Sequence, residues 1–111
     1  MPTILPTDDN NYPIPALRLL DGGSHKIIAT SSSARNAVGF DPETRIVSLY
    51  ATAPVYIRFG GSSVTATAFD HYFPGHTYYD VAIGGDETKQ ASHIAALRAE
   101  TDCVLYISEK I

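Results

Sequence analysis

The chain has no tryptophan, one methionine and one cysteine, and its eight basic residues are outnumbered by twelve acidic ones. A lone Cys103 cannot close an internal disulfide. It lies in the apolar run Cys103-Val104-Leu105-Tyr106-Ile107, which predicts a small buried hydrophobe, because free cysteine is among the most buried residue types. A catalytic thiolate needs partial exposure and a neighbouring base, and His93 is the candidate base in that region. There is no basic run, and the net charge is -4. This argues against a nucleic-acid surface, which relies on clustered Lys and Arg to neutralise phosphates, and against a polybasic membrane anchor. No apolar run approaches the ~20 residues that span a bilayer. A basic segment followed by an apolar stretch is also missing at the N-terminus, so no signal peptide is expected. The expectation is a soluble protein made in the cytoplasm, with no nucleic-acid or membrane partner.

Chemistry-bearing constellations are missing too. His71 and His76 flank an aromatic loop with Asp70 and Asp80 nearby, but a metal site needs three or four converging ligands. The His-X-His and following Glu of a cupin-type site are absent. Gly60-Gly61-Ser62-Ser63 lacks the frame of a nucleophile elbow. Gly84-Gly85 is followed by neither Lys-Ser/Thr nor a helix, so it is not a phosphate loop. Asp86, Glu87 and Lys89 read as a solvated charge cluster. The reading is therefore a non-enzyme, with no catalytic residue, no metal ligand and no cofactor. A small β-barrel enzyme would require His71, His76 and Asp80 to converge in a deep pocket.

What the sequence has is alternation. Its 111 residues fit one domain, large enough to fold without a disulfide or metal. From His25 onward the pattern has period two, which predicts strands at His25–Ser31, Ala34–Phe40, Arg45–Ala51, Val55–Phe59, Ser63–Phe69, Tyr78–Ile83, His93–Ala99 and Cys103–Glu109. Val55, Ile57 and Phe59 alternate with Tyr56 and Arg58, and the stretch from Thr44 to Gly61 reads as a core hairpin turning at Ala53-Pro54. Asp41-Pro42-Glu43 reads as a turn. Pro74-Gly75 fits the centre of a type II turn, with Gly75 at positive φ, inside a loop from Asp70 to Thr77. Glu100-Thr101-Asp102 reads as a hairpin connection. His93 to Glu100 also has helical propensity, with Ser92 as an N-cap, but isolated helices that short are marginal. About eight short strands with regular turn signals predict an all-β domain, a β-sandwich or small jelly-roll-like barrel, over residues 25–111.

Residues 1–24 read as an extended N-terminal arm. Pro2, Pro6, Pro13 and Pro15 break regular structure. Ile14, Leu17, Leu19 and Leu20 are either part of a frayed terminus or contacts to a neighbouring subunit. Seven tyrosines fit either strands or an interface, where tyrosine is enriched. Tyr56, Arg58, Tyr72 and Tyr78 are the candidate interface residues of the domain, unless the second sheet covers them.

An ordered series of short signatures runs from Thr44 to Glu109. It comprises Ile46-Val47-Ser48-Leu49, Val55 to Gly60, Ala66-Thr67-Ala68, Phe73-Pro74-Gly75 leading to Tyr79-Asp80-Val81, Ile94 to Leu97, and Leu105 to Glu109. In this order the chain resembles small accessory structural proteins of tailed-phage and prophage virions. The resemblance implies a β-rich, oligomeric, non-enzymatic protein and transfers no site residue. The resemblance covers both head-decoration and neck or tail proteins; among these the expectation is a capsid decoration (cement) protein, a homotrimer binding the major capsid protein or other virion proteins, located in the virion after synthesis in the bacterial cytoplasm. The alternatives are a neck or tail accessory protein, or a carbohydrate-binding receptor-recognition module using Tyr56, Tyr72, Tyr78 and the loop histidines.

Overall fold

A computed structural model describes residues 9–11, 17–84 and 89–111. Among these there is no helix, and eight strands form: β1 (Leu19–Ala29), β2 (Ala34–Arg35), β3 (Ile46–Ala51), β4 (Val55–Gly60), β5 (His71–Phe73), β6 (Tyr79–Ala82), β7 (His93–Arg98) and β8 (Cys103–Lys110). They make two antiparallel four-stranded sheets, in the orders β1-β8-β3-β6 and β2-β7-β4-β5. Only β4 and β5 are consecutive in the chain and paired in one sheet; every other connection passes from one sheet to the other. This is the double-sheet jelly-roll arrangement, and the all-β sandwich expected from the alternation is what the chain forms.

The inward residues of both sheets meet in one core. Ile27, Val47, Leu49, Leu105 and Ile107 come from the first sheet and Val55, Ile57, Phe73, Ile94 and Ala96 from the second. Burying each large aliphatic contributes about 1.5–3 kcal/mol. Cys103 is buried at one end, its thiol directed at the Ala53 carbonyl 3.6 Å away. Burial pushes that thiol up from its usual range, with the Ala53 hydrogen bond opposing. His93 sits at the far end of β7, beside Gly39, so the two are not partners.

Several local expectations change. β3 and β4 belong to different sheets, so Thr44 to Gly61 is not a hairpin. Glu100-Thr101-Asp102 likewise crosses between sheets. The helical alternative for His93 to Glu100 gives way to strand β7. Ser63–Phe69 is not a strand. Thr67 bonds locally instead, its amide donating to the Asp70 carboxylate at 2.7 Å and its hydroxyl accepting the Phe69 amide at 3.3 Å, while the Ala66 amide donates to the distant Ser33 hydroxyl at 2.8 Å. The pairing strand is β5, inside the segment expected to be a loop. β2 stops at Arg35 because the next residue supplies its side chain to the ladder. Buried Asn36 accepts the Ile94 amide at 2.9 Å and donates to the Val38 carbonyl at 2.7 Å.

β1 begins at Leu19, within the expected arm, so Leu19 and Leu20 are strand residues. Between Leu19 and Ser24 the strand advances five residues while β8 advances two, from Lys110 to Ser108. This is a large bulge, with Gly22 at φ 77° where an L side chain would be strained. Of the rest of the arm, residues 1–8 and 12–16 lie outside the described residues, Ile14 among them.

The turn after β5 uses its glycine differently from the expectation. His76, not Gly75, takes positive φ, at 60°. Gly75 is required by proximity: a Cβ there would lie 2.7 Å from the Ala53 Cα and 2.8 Å from the Ala53 carbonyl carbon. Backbone cannot yield as a flexible side chain can. Gly75→Ala is expected to lower stability by about 1–3 kcal/mol, the usual cost of overpacking, read as a shift in the urea midpoint at unchanged slope.

Candidate functional site

The polar interior is concentrated at one end of the sandwich. Glu109 of β8 faces inward and is 3% exposed. One carboxylate oxygen accepts the Asp41 amide at 2.8 Å and the Thr44 hydroxyl at 2.7 Å. The other meets His25 Nε2 at 2.8 Å, and the His25 ring packs edge-on to Phe40 at 5.1 Å. Gln90 reinforces this end by donating to the Asp41 and Thr44 carbonyls at 2.8 and 2.6 Å. Every partner is a turn or strand group, so the cluster ties the Asp41–Thr44 turn to β8.

The candidate enzymatic constellation does not assemble. Among the described residues no three of His, Cys, Asp and Glu come together as a metal-holding group. His71 lies on β5 of one sheet. His76 directs Nδ1 to the Tyr50 hydroxyl at 3.3 Å, while Asp80, on β6 of the other sheet, accepts from Lys110 at 3.0 Å.

The exposed chemistry lies on the two outer faces. On the β1-β8-β3-β6 sheet, buried Leu105 and Ile107 set Tyr106 outward, and buried Leu49 and Ala51 do the same for Tyr50. The register places Lys26 opposite Tyr106 and Tyr106 opposite Tyr50, so three adjacent strands present one row. Ile28, 61% exposed, lies beside this row, opposite Val104. Tyr78 precedes β6 on the same side, with the Lys110 ammonium 5.0 Å from its ring centre. His76 stands at the edge of the row, its ring 6.3 Å from that of Tyr50. Its amide is tied to the Ala51 carbonyl at 2.8 Å, which holds a backbone conformation costing a non-glycine residue about 1–2 kcal/mol. Large amphipathic rings on a sheet whose backbone is already paired suit protein contacts.

Hydrogen bonding from Lys110, then from Ser48, lowers the Tyr78 hydroxyl from the ordinary value of 10.0. The same bond to Tyr78, followed by that to Asp80, raises Lys110. The raised Lys110 contributes its share of stability at neutral pH and loses it as pH rises through its folded-state value. The lowered Tyr78 contributes only in alkaline solution. In an alkaline absorbance titration, Tyr78 is expected to ionise ahead of an ordinary tyrosine. Lys110→Met should remove that early component, and an unchanged curve would contradict the contact.

The β2-β7-β4-β5 sheet presents the second face. Arg35 and Arg58 flank Ala95 across three strands, and Leu97, Tyr56 and Tyr72 form the next row. Tyr56 and Tyr72 pack edge to face with ring centres 5.8 Å apart. Of the residues singled out from sequence, Tyr56, Arg58 and Tyr72 come together, and they point away from the core. Tyr78 lies on the opposite side of the sandwich. Leu19 is 69% exposed, while Leu17 and Leu20 are half-buried.

Tyr50, Tyr106, Ile28, Arg35 and Leu97 were not singled out by sequence reasoning. The signal for Tyr50 and Tyr106 was present in their outward phase within two alternating strands. Phe69, on the β4–β5 connection, was also missed and is 99% exposed.

Comparison with known proteins found no match among protein-family models, curated proteins or solved structures.

Proposed function

We propose that this chain is a structural protein of a tailed-phage or prophage virion. It is a head decoration protein that works as a homotrimer, binds the major capsid protein, and acts without catalysis. The observation carrying this reading is the outward row of Tyr106 and Tyr50, with Tyr78, Ile28 and Val104 on the same face of the β1-β8-β3-β6 sheet. Such a face contributes roughly 25 cal/mol per Å² of apolar area removed from water, before the entropic costs of association. Repetition over a symmetric shell then multiplies modest contacts by avidity. The order of sequence signatures from Thr44 to Glu109 points the same way, and the jelly roll is an architecture that viral capsid domains use. That last link is an analogy of fold.

The purified chain is expected to co-sediment with tailed-phage heads that lack it and to raise their resistance to heat. Heads that sediment without it would overturn the assignment to the head. A receptor-recognition role is the second reading, favoured by the exposed rings of Tyr78 and Tyr106 and by the use of jelly rolls in lectin domains. Specific hits on a glycan array, together with attachment to the tail, would select it.

A further inference from the structure

The outer face of the β2-β7-β4-β5 sheet carries two arginines that form no ion pair with a described residue, and the β4–β5 register continued by one step sets Asp70 opposite Arg58. Arg58 is exposed and makes no hydrogen bond or ion pair with a described residue. Arg35 donates to the Val64 carbonyl at 3.2 Å, which fixes its guanidinium on the face without neutralising it. Asp70, which precedes β5, gives its carboxylate to the Thr67 amide and hydroxyl. Beside the arginines, the edge-to-face pair of Tyr56 and Tyr72 forms an aromatic notch. Aromatic notches accept extended proline-rich segments, whose fixed φ lowers the entropy lost on docking. Guanidinium groups bind carboxylates by donating paired hydrogen bonds to them.

One segment of this chain has the matching chemistry. Residues 1–16, MPTILPTDDNNYPIPA, hold Pro2, Pro6, Pro13 and Pro15, the adjacent acids Asp8 and Asp9, and no Lys or Arg. The segment joins the domain at Arg18, whose backbone pairs with Ile111 at 3.1 and 2.8 Å, beside the edge strand of the other sheet. Sixteen residues at about 3.1 Å each reach about 50 Å when extended, ample to leave one domain for the next. In the single chain Asp9 is exposed, and the ion pairs formed there join it to neither arginine.

We propose that this face binds residues 1–16 of a second copy of the chain, with Asp8 and Asp9 meeting Arg35 and Arg58 and the proline rings lying against Tyr56 and Tyr72. The proposal rests on the reading of the chain as an assembly of copies and names how those copies meet. An arm handed from each copy to the next is a heterologous contact, which closes into a ring when the rotation allows.

Charge reversal in the full-length chain tests it, with association followed by light scattering over a concentration series. Arg35→Glu with Arg58→Glu, and separately Asp8→Arg with Asp9→Arg, are each expected to weaken self-association at least about tenfold. Combining all four should restore it to within about threefold. An equimolar mixture of the two reversed variants should also associate, since the altered arm of one then matches the altered face of the other. A monomeric wild type, reversals without effect, or a combined variant that fails to recover would each overturn the proposal. A mixture that stays monomeric would assign the arm to its own face and overturn it as well. The readouts separate this contact from the virion role. Arm-dependent association without head binding leaves the contact standing and removes the proposed function, while head binding without arm-dependent association does the reverse.

Discussion

Replacing Glu109 by alanine is expected to lower the unfolding free energy by about 3–5 kcal/mol, because it leaves three donors without their acceptor at about 1–3 kcal/mol for each buried unsatisfied group. The carboxylate accepts from the Asp41 amide, the Thr44 hydroxyl and His25 at 2.7–2.8 Å. Alanine leaves all three without that acceptor at the end of the sandwich where β8, β3 and the Asp41–Thr44 turn meet. A small domain has only about 5–15 kcal/mol of stability to lose. The variant should therefore unfold at a much lower urea concentration or fail to accumulate folded. Glu109→Gln keeps one acceptor oxygen and loses the negative charge, so a smaller loss of about 1–2 kcal/mol is expected. This milder variant keeps the test readable if the alanine form does not fold. Equilibrium unfolding in urea checks both, and an alanine variant within 1 kcal/mol of the wild type, about the typical effect of any single substitution, would show that the cluster does not hold the turn.

On the proposed head-decoration role, the double substitution Tyr50→Ala, Tyr106→Ala is expected to weaken attachment to phage heads at least about 100-fold, since tyrosines buried at the centre of an interface are frequent hot spots worth about 2 kcal/mol or more each. Both rings stand outward on adjacent strands, opposite each other in register, so their loss should cost the isolated fold about 1 kcal/mol or less. Phe69→Ala is the matched control. Phe69 is more exposed than either tyrosine, at 99%, but belongs to the connection between two strands of the other sheet. Its removal should leave head binding unchanged. Sedimentation of each variant with heads at several concentrations gives the comparison, and equal binding by the double variant would move the contact elsewhere on the molecule.

The strands were legible in the sequence where one face is buried against the core. Val55, Ile57, Leu105 and Ile107 carry the period-two signal plainly, and β4, β7 and β8 begin where that signal begins. The pairing of strands was not legible. Local alternation is the same whether a strand pairs with its chain neighbour or faces it across the core, so β3 and β4 resembled a hairpin. Ser63–Phe69 alternates too, but the Thr67 hydroxyl and Asp70 bond within the connection, which competes with a ladder. β5 is three residues long and lies between turn signals at Asp70 and Pro74, so it was hidden. On the surface, the outward phase of Tyr56 and Arg58 could be read from one strand. The meeting of Tyr50 with Tyr106, 56 positions apart in the chain, depends on a non-local register that no short window contains. The same holds for Arg35 and Arg58, joined only through Ala95.

The fold thus presents a tyrosine face on one sheet and an arginine-tyrosine face on the other. On the proposed reading the first face meets a shell and the second a neighbouring copy, the arrangement that repeated binding on a symmetric particle requires. For the proposed virion role the most direct measurement is localisation of this chain on tailed-phage particles, by electron microscopy of virions produced with a tagged copy. The account predicts label distributed over the head shell in many copies. Particles with no label, or with label confined to the tail, would contradict it.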